Sequence, residues 1–189
     1  MDTIASVLAG RLGPRAVVTG DDLASRDLPG VTGRQATPEV LVRPASTDEV
    51  STVLAICHEL GTPVVPLGGG SGLVDGAHTT EGIVLSLERL SGVESVDPIS
   101  KTMVVAAGTV LAEVHAEAAR HDLLFPVDLG ARGSAQVGGL VATNAGGNGV
   151  VRFGMMRENV LGLEAVLADG TVLESMNAMV KDNTGYDLK

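Results

Sequence analysis

The chain has 189 residues, 44% of them hydrophobic and 19% charged, with a formal net charge of −10. That length supports one domain or two small lobes around a real core, and the composition excludes a disordered chain. Aromatic residues make up only 2% and positive charge is scarce, which excludes the stacking and phosphate-tracking surfaces that nucleic acid needs. No apolar run reaches the roughly 18 to 20 residues of a membrane-spanning helix, so no transmembrane segment is expected. Met1-Asp2-Thr3-Ile4 lacks the basic and apolar regions of a signal peptide. The lone cysteine, Cys57, allows no intrachain disulfide and suits a reducing compartment, and the expected location is the cytoplasm.

In chain order, Ile4, Val7, Leu8 and Leu12 predict a short amphipathic helix over 2–12. The next thirty residues, with Pro29, Gly30, Gly33 and Pro38, read as irregular chain. Val40-Leu41-Val42 predicts a strand. Ser46 and Glu49 form a capping box that opens a helix carrying Val50, Val53, Leu54, Cys57 and Leu60 on its apolar stripe, with Gly61 as the terminating glycine. Cys57 therefore points into the core. Pro63-Val64-Val65-Pro66 predicts a second strand, which makes a βαβ unit with the preceding strand and helix. Further strands are expected at 83–87, 93–96 and 102–107, and a helix at 110–120.

From Phe125 onward periodicity weakens and glycine returns, a pattern that compact domains keep mainly at sites. Residues 135–141 are expected to make one or two helical turns. Residues 160–167 and 171–174 read as strands around Asp169-Gly170, a type I′ hairpin signal. Asp21-Asp22 reads as a solvated face, and Met155-Met156 as core filler. His58, His78, His115 and His121 have no metal-ligand spacing, so no metal site is expected.

Pro66-Leu67-Gly68-Gly69-Gly70-Ser71-Gly72-Leu73 packs four glycines into five positions at the carboxyl end of the second predicted strand. Glycine lets backbone N–H groups converge on an anion, and open α/β sheets collect ligands at such ends. The spacing matches neither the Rossmann fingerprint nor the P-loop. A second glycine-rich stretch begins near Pro126. Two such loops could cradle an extended diphosphate without a lysine, which would let an acidic protein hold an anionic cofactor.

The first stretch resembles the pyrophosphate loop of the vanillyl-alcohol-oxidase-type flavoproteins, which carry a p-cresol-methylhydroxylase-type FAD domain. Residues 126–147, from Pro126-Val127-Asp128 to Asn144-Ala145-Gly146-Gly147, resemble their second FAD segment. The form is closest to the branch that holds glycolate oxidase, D-lactate dehydrogenase and D-2-hydroxyglutarate dehydrogenase. Asn159 to Leu173 and Lys181 to Leu188 fit the same branch.

The resemblance implies an α+β fold with two lobes and FAD between them. An N-terminal lead-in at 1–39 would precede a first lobe at 40–108, built on the βαβ unit, and a larger antiparallel-sheet lobe at 109–189. It implies that FAD is held by Pro66, Leu67, Gly68, Gly69, Gly70, Ser71, Gly72 and Leu73. From the second segment it adds Pro126, Asp128, Gly133, Ser134, Val137, Gly138, Gly139, Ala142, Thr143, Asn144, Gly146 and Gly147. Asn144 could equally cap its local turn. Gly69→Val is expected to abolish binding by filling space that the diphosphate needs.

The implied reaction is oxidation of a small 2-hydroxy acid to the 2-oxo acid, the α-hydrogen passing to flavin N5 and the electrons to an acceptor that varies within the family. Covalent members carry a histidine near the first loop, where this chain has Ser71; noncovalent FAD is expected, with His78 the nearest alternative attachment point. Members continue beyond the position of Lys189 into a substrate domain that bears the metal- and substrate-binding residues. The chain is therefore expected to be an N-terminal part that turns over nothing alone, and it offers no catalytic residue. Other readings are an enzyme on the same FAD fold, of the UDP-N-acetylenolpyruvoylglucosamine reductase or aldehyde-type oxidase kind, or a non-catalytic module whose loops shape a partner surface.

Overall fold

A computed structural model describes residues 3–26, 28 and 36–186. Helix α1 (Ile4–Leu12) is capped by Thr3, whose hydroxyl accepts from the Ser6 N–H, and it buries Leu8 completely. The following residues are more ordered than expected. A 3-10 turn at Pro14–Ala16 leads into strand β1 (Val17–Val18) and helix α2 (Gly20–Ala24). Two residues are too few for periodicity to register; β1 exists because it pairs antiparallel with β2 (Val40–Val42). The expected irregular stretch around Pro29, Gly30 and Gly33 lies outside the described residues.

The central sheet has the order β1-β2-β4-β3, with β3 at Val64–Leu67 and β4 at Ile83–Ser86. Strand β4 pairs parallel with both β2 and β3. The expected βαβ unit is therefore present, but β4 enters between its two strands. Pro66, which lacks a ladder donor, is tolerated because β3 is an edge strand.

Alternation along the strands sorts the core into two faces. Val40, Val42, Ile83 and Leu85 pack on α1 and on α3 (Thr47–Leu60) through Leu8, Val50, Val53 and Cys57. Leu41, Val84 and Leu67 point the other way and meet Val18, Leu28 and Ala36. Ser46 caps α3 by accepting from the Glu49 N–H, whereas Glu49 reaches back to the Ala45 N–H rather than to that of Ser46. Gly61 closes the helix with φ 63°. Leu60 leaves the expected stripe and is 57% exposed.

Strands β5 (Val93–Asp97) and β6 (Thr102–Val105) form an antiparallel ribbon, and helix α4 (Leu111–Arg120) follows. A third cluster joins Leu111 to Val127, Ala135, Leu140 and Met156 around the short helix α5 (Val137–Ala142). Met156 is core, but Met155 is 38% exposed. Strands β7 (Leu163–Val166) and β8 (Val172–Ser175) form a second antiparallel ribbon. Its turn is not type I′, because Gly170 has φ 87° while Asp169 has no positive φ. The Gly170 N–H donates to the Leu167 carbonyl and the Leu167 N–H to that of Thr171, the pattern of a three-residue loop with one left-handed glycine. This ribbon lies on α3, where the Ser51 hydroxyl donates to the Gly170 carbonyl at 2.5 Å.

Candidate functional site

The first glycine stretch leaves the sheet at the carboxyl end of β3. Pro66 and Leu67 belong to that strand rather than to the loop, and Leu67 is buried in the sheet's second face. The loop proper therefore begins at Gly68. Gly70 has φ 63°, a conformation that favours glycine. The N–H groups of Gly69, Gly70, Ser71, Gly72 and Leu73 donate to no backbone carbonyl among the described residues. Leu73 is 87% exposed.

The second glycine stretch meets this loop directly. A Cβ on Gly69 would stand 1.7 Å from the Ser134 carbonyl oxygen, and one on Gly68 would stand 3.6 Å from Gln136 Oε1. Only a glycine at 69 permits this approach. The reason for expecting Gly69→Val to fail is thereby corrected: the space beside Gly69 is filled by the Ser134 main chain, not held open for a ligand.

Within the second stretch the glycines divide. Gly138 packs on Ala107 and donates its N–H to the Ala107 carbonyl at 2.7 Å, while Val137 donates to Thr109 at 3.0 Å. Ser134 donates to Ala131 at 3.0 Å. These amides are already bonded, so the expectation that both loops offer a row of amides holds better for the first loop. Gly72, Gly133 and Gly139 face open space, whereas Gly146 lies under Val150 and Gly147, at φ 132°, lies against the Asp128 carbonyl. Ala142 and Thr143 are exposed on α5 and just past it, and the Thr143 hydroxyl donates to the Gly139 carbonyl.

Pro126, Asp128, Asn144, Gly146 and Gly147 contact residues of their own segment and of the turns that follow it. Pro126 lies behind Gly149, its carbonyl 3.3 Å from where a Cβ would stand. Asp128 Oδ2 accepts from Arg132 at 2.7 Å, while its Oδ1 is buried without a partner. Asn144, at φ 47°, accepts the Arg157 N–H on Oδ1 at 2.9 Å. Its side chain thus ties the loop to the turn at Met156–Asn159. His115 bonds the Val127 carbonyl and rests edge-on against Phe125, and His121 contacts Glu117 at 3.3 Å.

A cavity of about 460 Å³ opens where the loops meet, lined by Arg26, Leu28, Leu41, Leu67, Gly68, Gly69, Ser86, Glu88 and Gln136. Its floor is the second face of the sheet. On its rim Glu88 binds Arg26 at 3.1 Å and Arg43 at 2.9 Å. Burial would raise the Glu88 pKa, but the hydrogen bond from Arg43 and the charge of Arg26 outweigh it and hold the carboxyl below its ordinary value. Gln136 Oε1 is buried with no hydrogen-bond partner. Sequence reasoning missed Gln136, which sits inside a segment it had singled out. It also missed Arg26 and Glu88, whose pairing across 62 positions leaves no local signal.

These features fit a dinucleotide diphosphate: a glycine loop whose amides donate to no backbone carbonyl among the described residues, a second loop locked against it, and a polar atom left unsatisfied at the junction. The fold is that of the two-lobed p-cresol-methylhydroxylase-type flavoenzymes. Alkyldihydroxyacetonephosphate synthase superposes with a TM-score of 0.83 over 96% of this chain and 36% of its own, at 17% identity. Wild-type Phl p 4.0202, a glucose dehydrogenase, gives 0.79 over 92% of this chain and 38% of its own, also at 17% identity. The chain belongs to the FAD binding domain family, which matches residues 38–175, and its cofactor is FAD.

Among curated relatives, the mitochondrial D-2-hydroxyglutarate dehydrogenase of Bos taurus is 42% identical across 93% of this chain and 36% of its own length. The D-2-hydroxyglutarate–pyruvate transhydrogenase of Saccharomyces cerevisiae is 41% identical across 89% and 34%. The D-2-hydroxyglutarate dehydrogenase of Xanthomonas citri pv. viticola is 43% identical across 80% and 32%. The chain thus spans about a third of the length of these relatives. The expected cytoplasmic location is overturned: the Bos taurus, Danio rerio and Oryza sativa relatives are all named mitochondrial. One buried thiol carries no information that separates these compartments.

Proposed function

We propose that this chain is the FAD-holding part of a dehydrogenase that oxidises a D-2-hydroxy acid, of the D-2-hydroxyglutarate type, to the 2-oxo acid. What carries the reading is identity of about 40% to D-2-hydroxyglutarate dehydrogenases along a stretch that includes both glycine loops. FAD, when bound, supplies the acceptor for the α-hydrogen and its electron pair. The chain's part is to hold and orient it. The Gly69–Leu73 amides face the diphosphate, and Ser134, Gly133 and Gly139 form the opposing wall. Ser71 stands where a covalent attachment would need histidine, so the flavin is held noncovalently.

The lobes divide near residues 108 and 109. Separate hydrophobic clusters on the two sides of that position support the division, although the β7–β8 ribbon returns to rest on α3.

The substrate assignment is tested on the full-length gene product, purified with its flavin and mixed anaerobically with each acid. Bleaching of the flavin absorbance by D-2-hydroxyglutarate, faster than by glycolate or D-lactate, is the expected result. Bleaching by glycolate or D-lactate alone overturns the substrate class.

A further inference from the structure

The neighbours Met155 and Met156 have opposite surroundings. Met156 is 3% exposed and belongs to the third core cluster, whereas Met155 is 38% exposed. The Met155 backbone is held from two sides: its N–H donates to Glu158 Oε2 at 2.8 Å, and its carbonyl accepts from Asn159 Nδ2 at 2.8 Å. That fixes the start of a side chain that lies over the second glycine stretch. Its methyl carbon stands 3.7 Å from where a Cβ on Gly146 would be, and its sulfur accepts from Asn144 Nδ2 at 3.8 Å.

The Asn144 amide is thereby engaged at both ends. Its Oδ1 takes the Arg157 N–H at 2.9 Å while its Nδ2 rests on the Met155 sulfur. Asn144 has φ 47°, a left-handed conformation that asparagine adopts more readily than most residues because its side chain bonds locally. Together with the Met156 N–H, which donates to the Ala145 carbonyl at 2.8 Å, this amide clasps the loop to the turn at Met156–Asn159.

We infer that Met155 is an oxidation site for hydrogen peroxide, whose sulfoxide opens the Asn144 clasp and loosens the second stretch's hold on FAD. Only the last step rests on the proposed FAD site. A sulfur lone pair attacks one peroxide oxygen; the S–O bond forms, the O–O bond breaks, and the other oxygen leaves as water with both protons. Sulfur gives up two electrons and the peroxide takes them. The thioether was a weak, soft acceptor, and the sulfoxide is polar and accepts strongly. No room exists between Sδ and Nδ2 for that oxygen at the ~2.9 Å of an N–H···O bond. Asn144 must turn to meet it or lose it, and either movement draws Oδ1 away from the Arg157 N–H. Met176 and Met179 are more exposed still, but among the described residues no hydrogen bond reaches their sulfurs.

The test treats the FAD-loaded full-length gene product with hydrogen peroxide, as wild type, Met155→Leu and Met155→Gln. Far-UV circular dichroism and thermal unfolding before treatment check that each variant folds. Peptide fragmentation should place one added oxygen on Met155 at a dose that leaves Met156 untouched. Hydrogen exchange of the peptide holding the Arg157 amide should quicken in oxidised wild type. The FAD dissociation constant, followed by flavin fluorescence, should rise about three- to tenfold, the scale of one lost neutral hydrogen bond. Methionine sulfoxide reductases should reverse both changes, a readout that needs no variant. Met155→Leu should be unmoved by the same dose although Met176 and Met179 oxidise in it, and Met155→Gln, a polar stand-in for the sulfoxide, should bind FAD weakly without peroxide. An unoxidised Met155 beside oxidised Met176 and Met179 overturns the site. Oxidised Met155 with unchanged exchange and FAD affinity overturns the clasp, as does an equal loss of affinity in Met155→Leu. No FAD on the untreated protein refutes the FAD site instead, and the fragment masses and the exchange still decide the oxidation site and the clasp.

Discussion

At the scale of single residues, two adjacent glycines carry opposite constraints. A methyl on Gly69 would collide with the Ser134 carbonyl, while one on Gly68 would make ordinary contact with Gln136. Gly69→Ala should therefore push the two loops apart, lower the unfolding free energy by roughly 1–3 kcal/mol as overpacked sites do, and abolish FAD binding. Gly68→Ala should unfold like wild type and lose FAD affinity only. Urea unfolding with FAD titration on both variants checks the contrast; equal stability of the two would contradict the contact at Ser134.

Cys57 gives a second residue-scale expectation. Burial against the sheet pushes its thiol up to about 11 from 9.0. The thiolate is the reactive form, so at pH 8 an aromatic disulfide reagent should label it far more slowly in the folded protein than after unfolding in urea. The raised value also means that the folded state keeps its proton where the unfolded chain has lost it. This stabilising contribution is complete below pH 9 and is lost as the pH rises through 11.

Among the elements, the N-terminal segment is fastened to the sheet by ions as well as by β1. Glu88 takes Arg26 from just past α2 and Arg43 from just past β2, and Arg43 also donates to the Arg15 carbonyl at 2.8 Å. Because the Glu88 pKa is depressed from 4.5, the folded state holds fewer protons than the unfolded one around that pH. Its contribution is therefore present above about pH 4.5 and fades as the pH falls through the lower folded value. Glu88→Gln should lower the melting temperature at pH 7, and the wild-type and variant curves should converge as the pH falls through the depressed folded value of the carboxyl. A constant gap between them from neutral to strongly acidic pH would show that the ion cluster does not fasten the segment.

The same scale shows what local sequence carries. Strand β2, helix α3 with its Ser46 cap and Gly61 stop, β4, the β5–β6 ribbon and α4 were all legible, because each has its own periodicity or punctuation. Strand β1 was not, since its two valines become a strand only through the partner β2. Nor was the insertion of β4 between β2 and β3, which no local pattern encodes. The Asp169-Gly170 hairpin was legible as a hairpin, but its turn type depends on the fit of Gly170 against Ser51 and Ala55 of α3.

For the molecule as a whole, the two glycine stretches were legible as a pair, but the division of labour between them was not. Sequence alone treats every glycine as a possible ligand contact. In the fold Gly69, Gly138 and Gly147 are packing glycines that let backbones touch, while Gly72, Gly133 and Gly139 face open space. Gln136 escaped notice because glutamine has no motif value until its unpartnered oxygen is seen beside a cavity. Binding of FAD to this folded arrangement should also stabilise it: at a hundred times the dissociation constant the gain is about 2.7 kcal/mol, or a rise of about 5–10 °C in melting temperature for a chain of this size.

The central claim is that two mutually locked loops hold FAD without a covalent bond. It is tested most directly by titrating the purified chain with FAD, precipitating it with acid and measuring flavin in both fractions. One FAD bound per chain, all of it recovered in the supernatant, is the predicted result. Failure to bind FAD, or flavin that stays with the precipitated protein, would contradict the account.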